Sequence, residues 1–390
     1  MVRISALSDD LLLKILSFLP TKVAVSTSIL SKQWQFLWLW LPKLEFDDLD
    51  FSPSSALCCL DFIDKNLPLH RAPVIESLLL RFCQSRLPQP DNSKRWVGIA
   101  VSRSVRELSI FYFTPKPHDV IPLPSSLYSC NSLMTLKLEG YINLVDVPRI
   151  VCLPTLKTLE LRGVTYSNED SLRVLLSHCP VLEDLLIERY DEDDNVRALV
   201  VNVPSLQRLT LDIGCDCSSD EYVIVTPSLK YFKIIDYRDI SSYLIEPMPN
   251  LEEADIEVMR DTEEILESIT SVRRLSFYQP FNTARESVYR AGIVFDQLEH
   301  LKLCIYKTNW SKLLVWLLGN SPNLRVLKLN GERDSKFEEY EPVGWENEHI
   351  SVPECLLRSL ETFEFKGDKG TQEERDFLSF LGKHACFLKS

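Results

Sequence analysis

One spacing governs what this chain can fold into. The pattern apolar, two residues, apolar, one residue, apolar begins at Ile75 (IESLLL). It returns from Val105, Leu133, Leu156, Leu182, Leu206, Leu229, Leu251, Val272, Leu298, Leu324 and Leu360. Between Leu133 and Leu324 the step stays between 21 and 26 residues. Within each unit the fourth and sixth positions are apolar and alternate with polar neighbours, as in a strand with one buried face. A unit this short cannot close a core alone, so the units must stack and share one. Proline stands just before many units (Pro154, Pro180, Pro204, Pro227, Pro249, Pro322), setting a turn into the strand. Glycine follows several strands (Gly140, Gly163, Gly214, Gly331, Gly367). The return segments Asn168 to Ser177, Thr262 to Ile269 and Trp310 to Leu318 read as helical. The prediction is an α/β stack of parallel strands curved into an arc.

The period resembles that of leucine-rich repeats. That family carries asparagine three positions after the last strand leucine; here those places hold Cys83, Phe113, Tyr141, Val164, Tyr190, Gly214, Tyr237 and Tyr306. An asparagine ladder is therefore ruled out, and the expected solenoid is an irregular one whose turns are satisfied by other groups. The third, fifth and seventh positions of each unit point away from the core. They give Asp184 and Glu188, Arg208 and Asp212, Tyr231, Glu253, Asp255 and Glu257, and Arg274 and Tyr278 as candidate target-binding residues. Long charged side chains mixed with tyrosine suit a protein interface, and a solvated sheet face is the alternative. Acids crowd the 251 unit, which predicts a basic partner segment. The face shows no evident cluster of Lys and Arg to hold a small anionic ligand.

Ahead of the repeats lies the run ISALSDDLLLKILSFLPTKVAVSTSILSKQWQFLWLWLP, from Ile4 to Pro42. Ser8 is a helix N-cap with Asp9 and Asp10 in the first turn. Leu12, Ile15, Leu16 and Leu19 step along one helical face, and Pro20 stops the helix. Thr21 to Leu30 gives a second helix. Ser31 caps a third, whose Trp34, Leu37, Trp38 and Leu41 again share a face. About 40 residues cannot bury this much apolar surface by themselves, so part of it must meet the next domain and the rest another protein; the alternative is that the whole segment is the N-terminal core of a larger domain. From Ile4 to Trp38 the run closely resembles an F-box, departing from it in having Ser8 where the family has proline. The resemblance implies docking on the Skp-type adaptor of a cullin–RING ubiquitin ligase. The residues that would meet the adaptor are Leu7, Leu11, Leu12, Ile15, Leu16, Leu19, Pro20, Val25, Leu30, Trp34, Leu37 and Trp38.

Trp345 to Lys389 resembles the FBD region that ends many plant F-box proteins. Val352 to Leu357, Leu360, Phe363 to Phe365, Gly367, Gly370, Ala385, Leu388 and Lys389 match, whereas Asp368 stands where the family has an aromatic residue. The expected organisation is a short three-helix F-box over 1–45, a leucine-rich-repeat solenoid with a parallel sheet over 46–344, and an FBD region capping the array over 345–390. Phe363, Phe365, Phe377, Phe380 and Leu381 are the side chains expected to form that cap.

Composition narrows the partners. Against 43 basic residues stand 56 acidic ones, a net charge of −13. Nucleic acid and acidic membrane surfaces call for the opposite field, so neither is expected as a partner. Eleven cysteines, an odd number in no regular framework, read as reduced thiols in the cytoplasm or nucleus. The N-terminus carries no signal-peptide pattern, and the run Leu313 to Leu318 is far short of a membrane span. No nucleophile motif or phosphate-cradling glycine loop is present. His178-Cys179 reads as packing, Cys58-Cys59 as core, and Cys215-x-Cys217 lacks a second pair at zinc spacing. No catalytic residue, metal or cofactor is expected, and the chain reads as a non-enzyme. With the resemblance, the expectation is the substrate-recognition subunit of a Skp–cullin–F-box ligase; a non-proteolytic scaffold is the alternative, and a hydrolase on a repeat scaffold a third.

Overall fold

The computed structural model describes residues 7–51, 58–83, 88–113, 121–140, 142–144, 152–168, 170–190, 196, 198–217, 221–238, 242–259, 262–278, 292–305, 310–331, 352–367 and 370–388. Tyr141, Tyr306, Asp368 and Lys389, and the expected start of the C-terminal region at 345, lie outside the described residues. Two compact units are present. One holds 1–189 and 193–196, the other 190–192 and 197–390.

Each of the twelve sequence units places a strand beginning at its third position. In the first unit a parallel sheet runs Lys43–Asp47, Ser77–Phe82, Glu107–Tyr112, Thr135–Gly140, Thr158–Arg162 and Asp184–Arg189. In the second it runs Arg208–Ile213, Tyr231–Asp236, Glu253–Val258, Arg274–Tyr278, His300–Ile305, Val326–Gly331 and Thr362–Lys366. The register is unshifted from strand to strand, so like positions form rows. Leu78, Leu108, Leu136, Leu159 and Leu185 are one buried row, and Leu209, Phe232, Ala254, Leu275, Leu301 and Leu327 another. Period-two alternation makes this register compulsory, since a slip of one residue would turn every leucine to the open face.

The strand Lys43–Asp47 was not expected, although its signal is in the sequence: Leu41, Leu44 and Phe46 repeat the unit pattern, and all three are buried. It pairs with Ser77–Phe82, so the expected boundary between 45 and 46 falls inside a strand of the repeat sheet. The return segments also differ from one another. Asp170–Ser177, Thr262–Ser268 and Trp310–Gly319 are helical as expected. Elsewhere the returns form small parallel sheets, Ala198–Asn202 with Glu221–Val225 and Ser242–Ile245 in the second unit, and Ile121–Pro122 with Ile142–Leu144 and Thr165–Tyr166 in the first. Runs such as LVV and YVIV are rich in the β-branched residues that favour a pleated surface.

In place of an asparagine ladder, hydroxyls and amides just ahead of six of the units reach back to the preceding repeat. Ser132 Oγ donates to the Val105 carbonyl at 2.9 Å, Thr155 to Leu133 at 2.9 Å, Ser271 to Met248 at 2.6 Å and Ser359 to Leu324 at 2.8 Å. Asn250 and Asn323 act likewise on Pro227 and Asp296. These bonds satisfy carbonyls that the turns would otherwise bury unpaired. At the strand exits, Gly140 has φ +92°, and any side chain there would strike the Tyr112 carbonyl of the neighbouring strand.

The C-terminal helix Gln372–His384 opens on a capping box. Thr371 N donates to Glu374 Oε2 at 2.7 Å and Glu374 N to Thr371 Oγ1 at 3.2 Å. Phe377, Phe380 and Leu381 are buried, and Phe377 meets Trp310 and Phe363 edge-on at 5.5 and 5.9 Å. Glu373 accepts from Ser311 N and Oγ at 2.9 and 2.6 Å, tying this helix to the start of Trp310–Gly319.

Candidate functional site

The N-terminal segment folds as Asp9–Leu16, Thr21–Ser26 with a 3₁₀ turn Thr27–Ile29, and a 3₁₀ helix Trp34–Trp40. Ser8 occupies the N-cap but makes no side-chain cap bond, and the first helix stops at Leu16, ahead of Pro20. The third element winds more tightly than the expected α-helix.

The two apolar rows divide in a way the sequence did not disclose. Leu12, Leu16, Trp34, Leu37 and Trp38, all expected to meet the adaptor, are buried by the chain itself. Their spacing was read correctly as one face, but that face closes the segment's own core. Leu11, Ile15, Leu19, Pro20 and Leu30 are exposed, and Leu7 and Val25 half-buried. Five further exposed apolar side chains were missed as docking candidates: Phe18 (79% exposed), Val23, Ile29 (87%), Phe36 and Trp40. Among the described residues, 9 of 21 large exposed hydrophobics fall between Leu11 and Trp40, a density that sets this stretch apart as unpartnered surface.

The segment is also fused to the repeats. Arg71 N donates to Leu39 O at 2.7 Å, Glu76 N to Pro42 O at 2.7 Å, and Glu45 N to Thr21 Oγ1 at 2.7 Å. His70 Nε2 lies 2.8 Å from Leu41 O; burial pushes the imidazole below its ordinary value of 6.5, and the Arg103 charge adds to that depression. The exposed apolar side chains are therefore held on a platform anchored to the sheet.

The second candidate surface is the open face of the sheet. In the first unit Glu188 pairs with Arg162, which also lies 3.6 Å from Glu160, and Asp184 is half-buried. In the second unit Arg208 stacks over the Tyr231 ring at 4.6 Å, and Tyr231 Oη donates to Asp255 at 2.8 Å. Burial, then the Asp255 carboxylate, pushes the Tyr231 phenol up. Tyr237 Oη donates to Glu257, and Arg274 lies 3.5 Å from Glu253. Glu253, Asp255 and Glu257 thus each have a partner on the sheet face. Asp212 and Tyr278 stand in the same outward row as Glu257. The expected lack of a Lys and Arg cluster is corrected. A concavity of about 290 Å³ is lined by Asp255, Arg274, Ser276, His300, Lys302 and Lys328, among others.

Sequence reasoning also missed charges on the buried side. Asp236 and Arg238 pair at 2.7 Å, with Tyr243 Oη donating to Asp236 at 2.8 Å and Arg238 donating to Tyr222 Oη. Asp236 is the eighth residue of its unit, an inward position filled by Ile213 and Val258 next door.

No activated nucleophile emerges among the described residues. Burial pushes the thiols of Cys59 and Cys179 up to about 12 and that of Cys355 to about 11, which disfavours the thiolate. His178 Nδ1 is 2.8 Å from Val174 O, a local packing bond. Cys215 is exposed while Cys217 is buried. No group of three or more His, Cys, Asp or Glu among the described residues is placed to hold a metal ion. No described helix is long and apolar enough to cross a membrane.

Family models match along the chain: the F-box domain over residues 4–46, the LRR repeats of FBD-associated F-box protein At5g56370 over 93–243, and FBD over 347–390. The chain is 56% identical over 391 residues to FBD-associated F-box protein At5g60610 of Arabidopsis thaliana, covering 100% of this chain and 99% of that one. The At5g56700 protein of the same plant is 63% identical over 395 residues, with 100% and 97% covered. FBD-associated F-box protein At4g10400 is 48% identical over 394 residues, with 100% and 92% covered.

Proposed function

The chain belongs to the FBD-associated F-box proteins, a membership that points to a ubiquitin-ligase adaptor role in general, and from that premise we propose that it is the substrate-recognition subunit of a Skp–cullin–F-box ligase. The apolar side chains exposed between Leu11 and Trp40 bind the Skp-type adaptor. The open sheet face receives a protein target. The chain forms and breaks no bond; it raises the concentration of the ubiquitin-loaded enzyme near target lysines. It acts in the cytoplasm or nucleus, where its eleven cysteines stay reduced.

The observation that carries this reading is the density of large exposed hydrophobics on a rigidly anchored segment that matches the F-box. Burying such side chains stabilises a complex by about 25 cal/mol per Å² of apolar surface removed from water. The test is a pull-down of the purified adaptor by the full chain, set beside Phe18→Asp with Ile29→Asp. The reading requires loss of adaptor binding with the thermal midpoint unchanged. A folded variant that retains wild-type affinity refutes it. A reconstituted ligase then separates a degradative receptor from a scaffold, by whether a captured target is ubiquitylated.

A further inference from the structure

The open face of the second unit is divided by charge. On Arg208–Ile213, Tyr231–Asp236 and Glu253–Val258 the outward positions carry four carboxylates (Asp212, Glu253, Asp255, Glu257) and two cations (Arg208, Lys233). On the next four strands they carry four cations (Arg274, Lys302, Lys328, Lys366) and one carboxylate, Glu364. A chain of net charge −13 thus presents a local basic field on one stretch of sheet.

The ion pairs leave that field uncancelled. Glu364 is shared between Lys328 at 3.1 Å and Lys366 at 2.7 Å, and its carboxyl is held below the usual carboxylate range by the hydrogen bonds from these two lysines. Glu253 is engaged by Arg274 and Asp255 by Tyr231. Lys302 stands directly opposite Lys328 in the register, an arrangement that destabilises the sheet unless an anion lies between them. Among the described residues Lys302 has no acidic partner. Its other neighbour in the row is Ser276, whose small side chain opens a concavity lined by Lys302, Lys328, Arg274 and His300 on one side and by Glu253 and Asp255 on the other, these two acids being the ones engaged by Arg274 and Tyr231.

We propose that this basic half of the face docks an acidic peptide segment of the target, with one carboxylate seated over Ser276 and held by Lys302. Arg274 and Lys328 flank the seat. The proposal rests on the reading that the sheet face receives the target, and it specifies the chemistry received: acidic rather than the basic segment expected from the sequence. Charge-assisted bonds in a concave, partly desolvated seat hold an anion more firmly than a flat lysine-bearing surface does.

The test uses the full chain bound to its adaptor and two short fluorescent peptides, one alternating Glu and Ser, the other Lys and Ser. Anisotropy should show saturable binding of the acidic peptide alone, weakening with salt. Lys302→Glu should reduce that affinity about tenfold or more, while Lys302→Arg preserves it. Lys302 is exposed to solvent, so neither substitution should disturb folding, which the thermal midpoint checks. No saturable binding of the acidic peptide, or binding indifferent to Lys302→Glu, overturns the proposal. Binding of the basic peptide, abolished by Asp255→Lys, also overturns it but leaves the face as the receiving surface. If target capture under a blocked proteasome is unchanged by both Lys302→Glu and Asp255→Lys, the assignment of the face itself fails.

Discussion

Leu16 and Ile29 are both aliphatic, both belong to the N-terminal helices, and their side chains have opposite surroundings. Leu16 is wholly covered by the chain, and Ile29 projects into solvent. Leu16→Ala should therefore cost about 2–5 kcal/mol of stability, read as a lower denaturation midpoint. Ile29→Asp should leave stability within about 0.5 kcal/mol while adaptor affinity falls by an order of magnitude or more. His70 makes a pH-dependent prediction. Its folded value lies below the ordinary 6.5, so the unfolded chain takes up the proton first. The stability it contributes is complete above pH 6.5 and is lost as the pH drops below it, by up to about 1.4 kcal/mol per pH unit. Melting curves at neutral and mildly acidic pH should show this dependence shrink in His70→Gln, which can still donate but does not titrate.

At the scale of the element, the strands follow directly from alternation, and what joins them does not. The missed strand Lys43–Asp47 carries the same pattern as the others but sits beside an apolar segment that masked it. The return strands Ala198–Asn202 and Glu221–Val225 are rich in β-branched residues, and Tyr222 stacks on Tyr243 of Ser242–Ile245 with 5.2 Å between centroids. The pair Asp236–Arg238 is enclosed by those two tyrosines. Removing one partner of a buried pair typically costs about 3–5 kcal/mol, so Asp236→Ala should be more damaging than Glu253→Ala on the open face. Differential scanning calorimetry of the two variants makes the comparison. The final helix packs on the last strand, Phe377 against Phe363. Phe377→Ala should cost about 3–5 kcal/mol, and truncation before Glu354 should abolish cooperative unfolding of the second unit, since a repeat array needs its terminal edge covered. A truncated chain that stays soluble and melts cooperatively would make the C-terminal region a separate module.

For the whole molecule, the useful separation is between losing the adaptor and losing the fold. Changing buried residues of the F-box, such as Leu16 with Trp34, would disturb a platform hydrogen-bonded to the first repeats, so loss of function could not be assigned to docking. The exposed pair Phe18→Asp and Ile29→Asp avoids this. In a reconstituted ligase that variant should still capture the target yet fail to support its ubiquitylation, giving a trapping form. Ubiquitylation that persists at the wild-type rate would place adaptor contact elsewhere on the chain.

The sequence by itself determined the twelve repeat strands from Ser77–Phe82 to Thr362–Lys366, their common register and the row of apolar residues behind them, because a period of two, in units that step by 21–26 residues between Leu133 and Leu324, admits few other burials. It also carried the F-box and C-terminal resemblances, since these rest on residue types at set spacings. Only the tertiary structure decided which apolar row of the N-terminal helices is covered, because a segment apolar nearly all round offers no periodic cue to its free side. It alone showed that Glu253, Asp255 and Glu257 have partners and that Lys302 faces Lys328 with no acidic partner of its own among the described residues. Those relations join residues 20 to 30 positions apart, and they exist only once the strands lie side by side.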